Sequence, residues 1–434
     1  MTESESVGAA VAEFRERPGI LPLTGKVQHY EWGGTEFIPR LLGQDNPEGQ
    51  PFAELWIGAH ASAPSDAHLD AATVPLTDLQ AAAPEALLGP AVTEAFGGRL
   101  PYLYKVLDAR QMLSIQAHPT KAQAEEGFRL ENEAGIDLKA PNRNYKDDNH
   151  KPEVHVALTE FWMLHGFRPL EEIAAVLSSV PEFAAVMPDF GERLGRADDE
   201  AARKDLLRDL YGHAMTMPQP DVDAILNPLI ERLERENPTD KDTPNFWARR
   251  AARVFPLPEG HRDRGILSIY LLNLVHLQPG QGTYQAAGQL HAYLEGVNME
   301  LMANSDNVLR GGLTPKHVDV PELMRTLTFE SGHPDILDGE ANSDTETVYR
   351  TLATEFEISR IALNAGQRHG QAAGHGPDAI IVMEGAAEIA SESQAITLTR
   401  GQIVLAPDAV GYSLEATHGP AILYRATVPV VPND

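Results

Sequence analysis

Three short stretches concentrate the chemistry of this chain: Gln116-Ala117-His118-Pro119, His150-Lys151-Pro152-Glu153 and, far downstream, Gly288-Gln289-Leu290-His291. Together they offer Gln116, His118, Glu153 and His291, a nitrogen and oxygen donor set for one divalent ion, with zinc or another borderline metal as the natural fit. Residues i and i+2 of a strand face the same side, so Gln116 and His118 point together while Ala117 points away. By the same rule His155 shares the face of Glu153, and spacing does not exclude it as a ligand. The ordinary fate of a histidine, in a chain with 16 of them, is a hydrogen-bonded core or surface role. Nearby lysines, an arginine and spare acids are the groups an anionic substrate needs.

The elements that must position these groups follow from texture. Short apolar runs broken by Gly, Pro and Asn fill residues 20–168, and 102–107 and 154–158 read as strands. A helix is expected over 121–134. From 169 to 262 helical spacing takes over, with helices expected at 170–177, 200–215, 222–236 and 245–254, punctuated by prolines. Strand texture returns at 266–272, a helical connector is expected over 321–349, and a strand-rich unit over 350–434. The first 20 residues read as a frayed or weakly helical tail.

There is a weak internal repeat. Gly280, Ala286, Gly288 and His291 share their spacing with Gly401, Pro407, Ala409 and Tyr412. Both match the register of a conserved strand pair of a double-sheet barrel, with Tyr412 where the first copy has a ligand histidine. Chance recurrence of Gly and Pro turns is the plainer alternative.

Composition bounds the function. The 434 residues exceed one ordinary core, so two or three domains are expected. A net charge of −28 disfavours nucleic acid and anionic membrane as partners. The chain has no cysteine, which excludes disulfides, thiolate catalysis and Cys-bound zinc. The start of the chain lacks the basic end and apolar run of a secretory signal, and no apolar run reaches membrane-spanning length. A cytoplasmic location is expected, and no obligate protein partner is evident.

The words around the candidate ligands add more. VQHYEWGG from Val27, AELWIGAHASAPS from Ala53, LPYLYKVLDARQMLSIQAHP from Leu100, DNHKPEVHVALTEFWMLHGFRP from Asp148 and GQLHAYLEGVNMELMANSDNVLRGGLTPKHVDV from Gly288 occur in family order. On these blocks the chain resembles type I phosphomannose isomerase, a zinc-dependent cupin family. The resemblance covers residues 27–320. It implies a mainly β fold with a helical insertion: a metal-bearing cupin (jelly-roll) unit at 20–168 and 263–320, a helical insertion at 169–262, and a degenerate, metal-free cupin-like unit at 350–434. It implies one zinc ion per chain on Gln116, His118, Glu153 and His291. It places cleft residues on Glu54, His60, Lys105, Ser114, His150, Lys151, Glu300, Asp306, Arg310 and Lys316. The stretch GTYQAAGQLH lacks the proline commonly seen before the glycine.

The implied reaction interconverts mannose 6-phosphate and fructose 6-phosphate through a cis-enediol. Arg310 and Lys316, flanking Gly311 to Pro315, suit the phosphate, although Arg310 paired to Asp306 would be an ordinary structural bridge. Lys105, Ser114 and Lys151 are further candidates for holding the sugar or its phosphate. Asp306 or Glu300 is the first choice as base, with Lys151 and Arg310 assisting, His60 opening the ring and Glu54 bracing the site; His150 is a further candidate. Two rivals stand: an oxygenase-like metallo-cupin enzyme, and a non-catalytic sugar-phosphate-binding cupin.

Overall fold

The computed structural model describes residues 3–429. It is sheet-rich with helices inserted, and its sheets are open rather than closed barrels. Tyr102–Ala109 and Glu153–Ala157 are strands buried at every position, the pattern of strands covered on both faces.

The strand His291–Ala303 organises the first large sheet. Its first half pairs with Phe161–Phe167 and meets the short strand Ile115–Ala117. Its second half pairs with Tyr102–Ala109 and Glu153–Ala157. The change of partner falls at Gly296, whose φ is +124°, beside a register shift between Tyr293 and Glu295. A Cβ there would meet the Glu160 carbonyl oxygen at 2.4 Å, so both the turn of the chain and the close approach require glycine. One strand thereby carries both His291 and Glu300.

The helices Leu170–Ser179, Glu200–Thr216, Gln219–Glu236 and Pro244–Val254 form where proline-bounded apolar spacing predicts them. Leu207, Leu210, Leu226, Leu229 and Trp247 from this insertion share a core with Leu164 and Phe167 of the sheet. The helix Lys121–Glu133 is opened by a capping box between Thr120 and Gln123.

Three expectations are corrected. The run 266–272 is not a strand: Gly265–Leu271 is a helix buried at every position, and the strand is Leu272–Leu277. A uniformly apolar run has no period to separate helix from strand. Of 321–349, Val320–Thr326 is helical, while Glu340–Ala341 and Glu346–Tyr349 are strands. The N-terminal stretch forms the helix Glu3–Glu16, which buries Ala10 and Phe14. The nine-stranded sheet also crosses the boundaries drawn from texture. Leu21–Thr24 pairs with Ile403–Ala406 on one side and Asp66–Leu69 on the other, so N-terminal strands extend the sheet of the C-terminal unit.

The ladders give the internal repeat a structural form. Glu153 lies opposite Gln285, and Asp378 opposite Ala406. Gln116 lies opposite His291, and Gln371 opposite Tyr412. Glu300 lies opposite Lys105, and Arg425 opposite Ser359. With Gly280 matched to Gly401, the first two of these pairs fall in the same register of each unit, whereas Arg425 lies four residues further along its unit than Glu300 does. The interiors differ in charge. The Arg425 guanidinium is 2.6 Å from Glu346 and 3.6 Å from Asp378, and Asp378 also accepts hydrogen bonds from Tyr412 and His375. An arginine thus supplies the interior positive charge of the C-terminal unit.

Candidate active site

His118 follows the strand Ile115–Ala117, and Glu153 and His291 each open a strand. Strand ends place side chains at the rim of a sheet, where three such ends converge. The His118 Nδ1 donates to the Asn307 carbonyl at 2.7 Å, and the His291 Nδ1 donates to the Gln289 carbonyl at 3.2 Å. A carbonyl only accepts, so each ring carries its proton on Nδ1 and presents a bare Nε2.

Those two Nε2 atoms lie 3.4 and 3.5 Å from the two oxygens of Glu153. Both are buried and have no hydrogen-bond partner among the described residues. Ligand atoms of His118, Glu153 and His291 all lie within 4.8 Å of one another. Buried acceptors without donors are costly unless something binds them, and a divalent cation satisfies all three groups at once. The donor set therefore fits a metal. Gln116 stands directly opposite His291 in the ladder, and its amide makes no hydrogen bond among the described residues.

Burial acts to raise the Glu153 carboxyl, but the Lys151 ammonium at 2.9 Å leads the opposing influences, and the group is held well below the usual carboxylate range. Burial pushes the His291 imidazole well below its ordinary value. Both shifts favour the deprotonated forms that bind metal. His155, the competing ligand, is engaged elsewhere. Its Nε2 meets the Thr283 hydroxyl at 2.5 Å and its Nδ1 meets the Tyr293 hydroxyl at 3.4 Å. Burial lowers its pKa to about 4, so it is neutral.

Beside the donors sits a buried charge cluster. The Lys105 ammonium is 2.7 Å from Glu300 and 3.5 Å from Glu54. Tyr293 donates to the other Glu300 oxygen at 2.6 Å, and Trp56 donates to Glu54 at 2.6 Å. Burial opposes the charge on Lys105, but Glu300 and Glu54 outweigh it and raise its pKa. Lys105 is locked as an ammonium, and both oxygens of Glu300 are engaged.

The more open part of the site holds Asp306, whose side chain is 50% exposed and 3.6 Å from His60. The neighbouring His60 imidazole lowers the Asp306 pKa, helped by Lys151 and Lys146. Arg310 lies opposite Gln116 in the ladder and forms no ion pair among the described residues, which removes the Asp306 bridge as an explanation for it. The Lys316 pKa is lowered by burial and then by Arg310 and Lys146, so Lys316 lies within the field of both other cations. His150 is turned to Glu355, away from this group. Ser114 is partly buried and makes no side-chain hydrogen bond among the described residues.

Loop positions hold residues that spacing did not reveal. Lys146 is one. Asn307 is another: it is fully buried, accepts from the Lys146 and Asp147 amides and donates to the Asp147 and Asn149 carbonyls. Asp147 in turn accepts from Ser305 and from the Asp306 amide. This knot fixes the loop of Lys146 and Lys151 against the loop of Asp306. Asp263 accepts from the amides of Gly265, Leu313 and Thr314 and so holds the turn between Arg310 and Lys316. Asx-type brackets of this kind leave only a single Asn or Asp as a sequence signal.

Comparison with known proteins gives the same reading. Residues 20–170 match the model of the phosphomannose isomerase type I catalytic domain. The mannose-6-phosphate isomerase of Escherichia coli is 41% identical over 310 residues, covering 71% of this chain and 75% of that protein. That of Salmonella typhimurium is 36% identical over 383 residues, covering 88% and 93%. A crystal structure of the Salmonella enzyme bound to its substrate, fructose 6-phosphate, and to zinc superposes with a TM-score of 0.83 at 34% identity, covering 95% of this chain and all of that one. With ligand geometry, fold and sequence in agreement, the chain belongs to the type I mannose-6-phosphate isomerase family.

Proposed function

We propose that this chain holds one zinc ion on His118, Glu153 and His291, with Gln116 as the fourth donor, and uses it to interconvert mannose 6-phosphate and fructose 6-phosphate. The observation that carries this reading is the pair of buried, partnerless imidazole nitrogens turned on one carboxylate. When bound, the ion supplies Lewis-acid stabilisation of negative charge on oxygen, worth several kcal/mol.

The chain's own residues account for the rest. Arg310, Lys316 and Lys146 bind the phosphate: three cations gathered in one place within a chain of net charge −28. Asp306 is the base. It is the exposed acid of the group, and it is held ionised by His60. It takes the proton from C2 of the open-chain aldose, the C2–H electron pair forms the enediol double bond, and O1 gains a proton that is balanced by the one O2 gives up. The same proton returns to C1 as the carbonyl forms at C2, and the O2 proton is lost. A positioned base of this kind contributes about 10²–10⁴-fold. Glu300 is better read as the anchor of Lys105, because both its oxygens are occupied. Lys151 orients Glu153 and faces the developing charge. Ser114 and Lys105 are assigned to the sugar hydroxyls, and Glu54 braces Lys105.

No described helix is long and apolar enough to cross a membrane, and a cytoplasmic location is part of the proposal. The test is a coupled assay of fructose 6-phosphate formation from mannose 6-phosphate, run alongside oxygen consumption. The reading requires turnover without oxygen uptake, and Asp306→Asn losing far more kcat than Glu300→Gln. The opposite ranking moves the base to Glu300, and absence of turnover rejects the function.

A further inference from the structure

A cavity of about 830 Å³ opens between the two sheet units, away from the metal donors. Its walls come from the catalytic unit (Ala157, Leu158 and the turn Pro279-Gly280-Gln281) and from the C-terminal unit (Tyr349, Arg360, Glu384 and Tyr424), with Arg40 and Arg400 at its edge. None of its lining residues belongs to the site described above.

The charge of this cavity is unusual for this chain. Net charge is −28, and most arginines of the surface are bound to a carboxylate. Arg40, Arg360 and Arg400 form no ion pair among the described residues, yet all three line one cavity. The carboxylates facing them are Asp338 and Glu384, and Asp338 already accepts a hydrogen bond from Gln281 at 2.9 Å. Guanidinium forks without carboxylate partners are the usual recognition group for phosphate. The volume lies in the range of about 300–1,000 Å³ that holds small organic ligands rather than a bare ion. Phe37 supplies part-exposed aromatic surface beside the charges, and Tyr349 and Tyr424, 2% and 3% exposed, back the wall.

We propose that this inter-unit cavity is a second binding site, specific for a small organic phosphate with a flat ring, the chemistry of a nucleoside monophosphate. Arg40, Arg360 and Arg400 hold the phosphate, and the aromatic wall takes the ring. The site also has a route to the metal centre. The strand Glu153–Ala157 carries a metal donor at one end and a cavity residue at the other. A ligand bound there contacts the same rigid element that positions Glu153.

The test is calorimetric titration of the zinc-loaded protein with adenosine monophosphate, using Arg310→Met as the background so that the catalytic phosphate site is disabled. One equivalent bound per chain is expected. Arg40→Gln with Arg400→Gln, both exposed positions that leave the core intact, should weaken binding about tenfold or more. Glu384→Gln should tighten it, because an opposing charge is removed. No binding to the Arg310→Met protein, or binding unchanged by the double substitution, overturns the proposal. Inorganic phosphate competing as well as the nucleotide also overturns it, because the ring would then contribute nothing.

Discussion

Replacing Lys105 by methionine isolates the buried charge cluster. The ammonium sits 2.7 Å from Glu300 and 3.5 Å from Glu54, and the side chains of all three are 8% exposed or less. The variant keeps the hydrogen bonds from Tyr293 and Trp56 but leaves two carboxylates without a cation. Breaking a buried pair from one side costs about 3–5 kcal/mol. The cost must depend on pH in a defined direction. In the native protein the Lys105 pKa is raised, so its contribution is complete below the unfolded value and is lost only on passing through the folded one, well above neutrality. Between pH 5 and 8 it adds no slope. In Lys105→Met the two buried carboxylates lack a cation, and burial disfavours their charged forms, so the variant loses stability as pH rises. Urea unfolding of the zinc-loaded protein at pH 5 and pH 8 measures both effects. The variant should fall furthest below wild type at pH 8, and adding Glu300→Gln should restore most of the loss. An equal deficit at both pH values, or no rescue, refutes the argument.

Three further outcomes are expected. Arg310→Met removes a guanidinium with no ion-pair partner among the described residues, so KM for mannose 6-phosphate should rise about tenfold or more with little loss of thermal stability; a fall in kcat at unchanged KM would contradict a phosphate role. Asn307→Ala loosens the loop whose carbonyl fixes the His118 tautomer, and zinc affinity in a chelator competition should fall about 10–100-fold. Arg425→Met strips the interior cation from Glu346 and Asp378 and should destabilise the chain by about 3–5 kcal/mol in urea unfolding while zinc content stays at the wild-type level.

Much of the site was legible in the sequence because its donors sit at strand ends inside short chemical words. Gln116 and His118 are two apart beside a proline, and Glu153 opens a strand that reads as one. The proline-bounded helices of 169–262 were legible for the same local reason. What escaped was non-local or without period. The helix Gly265–Leu271 is buried on every side, so its sequence carries no amphipathic signal. The pairing of Leu21–Thr24 with Ile403–Ala406 joins segments at opposite ends of the chain, and no local pattern encodes it. His150 stands next to Lys151 in sequence, yet it turns to Glu355 of the C-terminal unit. Lys146 and Asn307 act through loop geometry, and a loop residue shows its partners only once the fold has closed. The repeat was visible as a Gly and Pro spacing, whereas the pairing of its matched positions, Gln116 opposite His291 and Gln371 opposite Tyr412, needed the ladders.

The most direct test of the metal assignment strips the protein with a chelator, measures zinc per chain by elemental analysis, and follows mannose 6-phosphate turnover before stripping, after it and after zinc is returned. One equivalent of zinc, lost and regained in step with activity, is the expected result, and His118→Ala should retain neither. Metal-free protein that turns over substrate at the original rate would contradict the assignment outright.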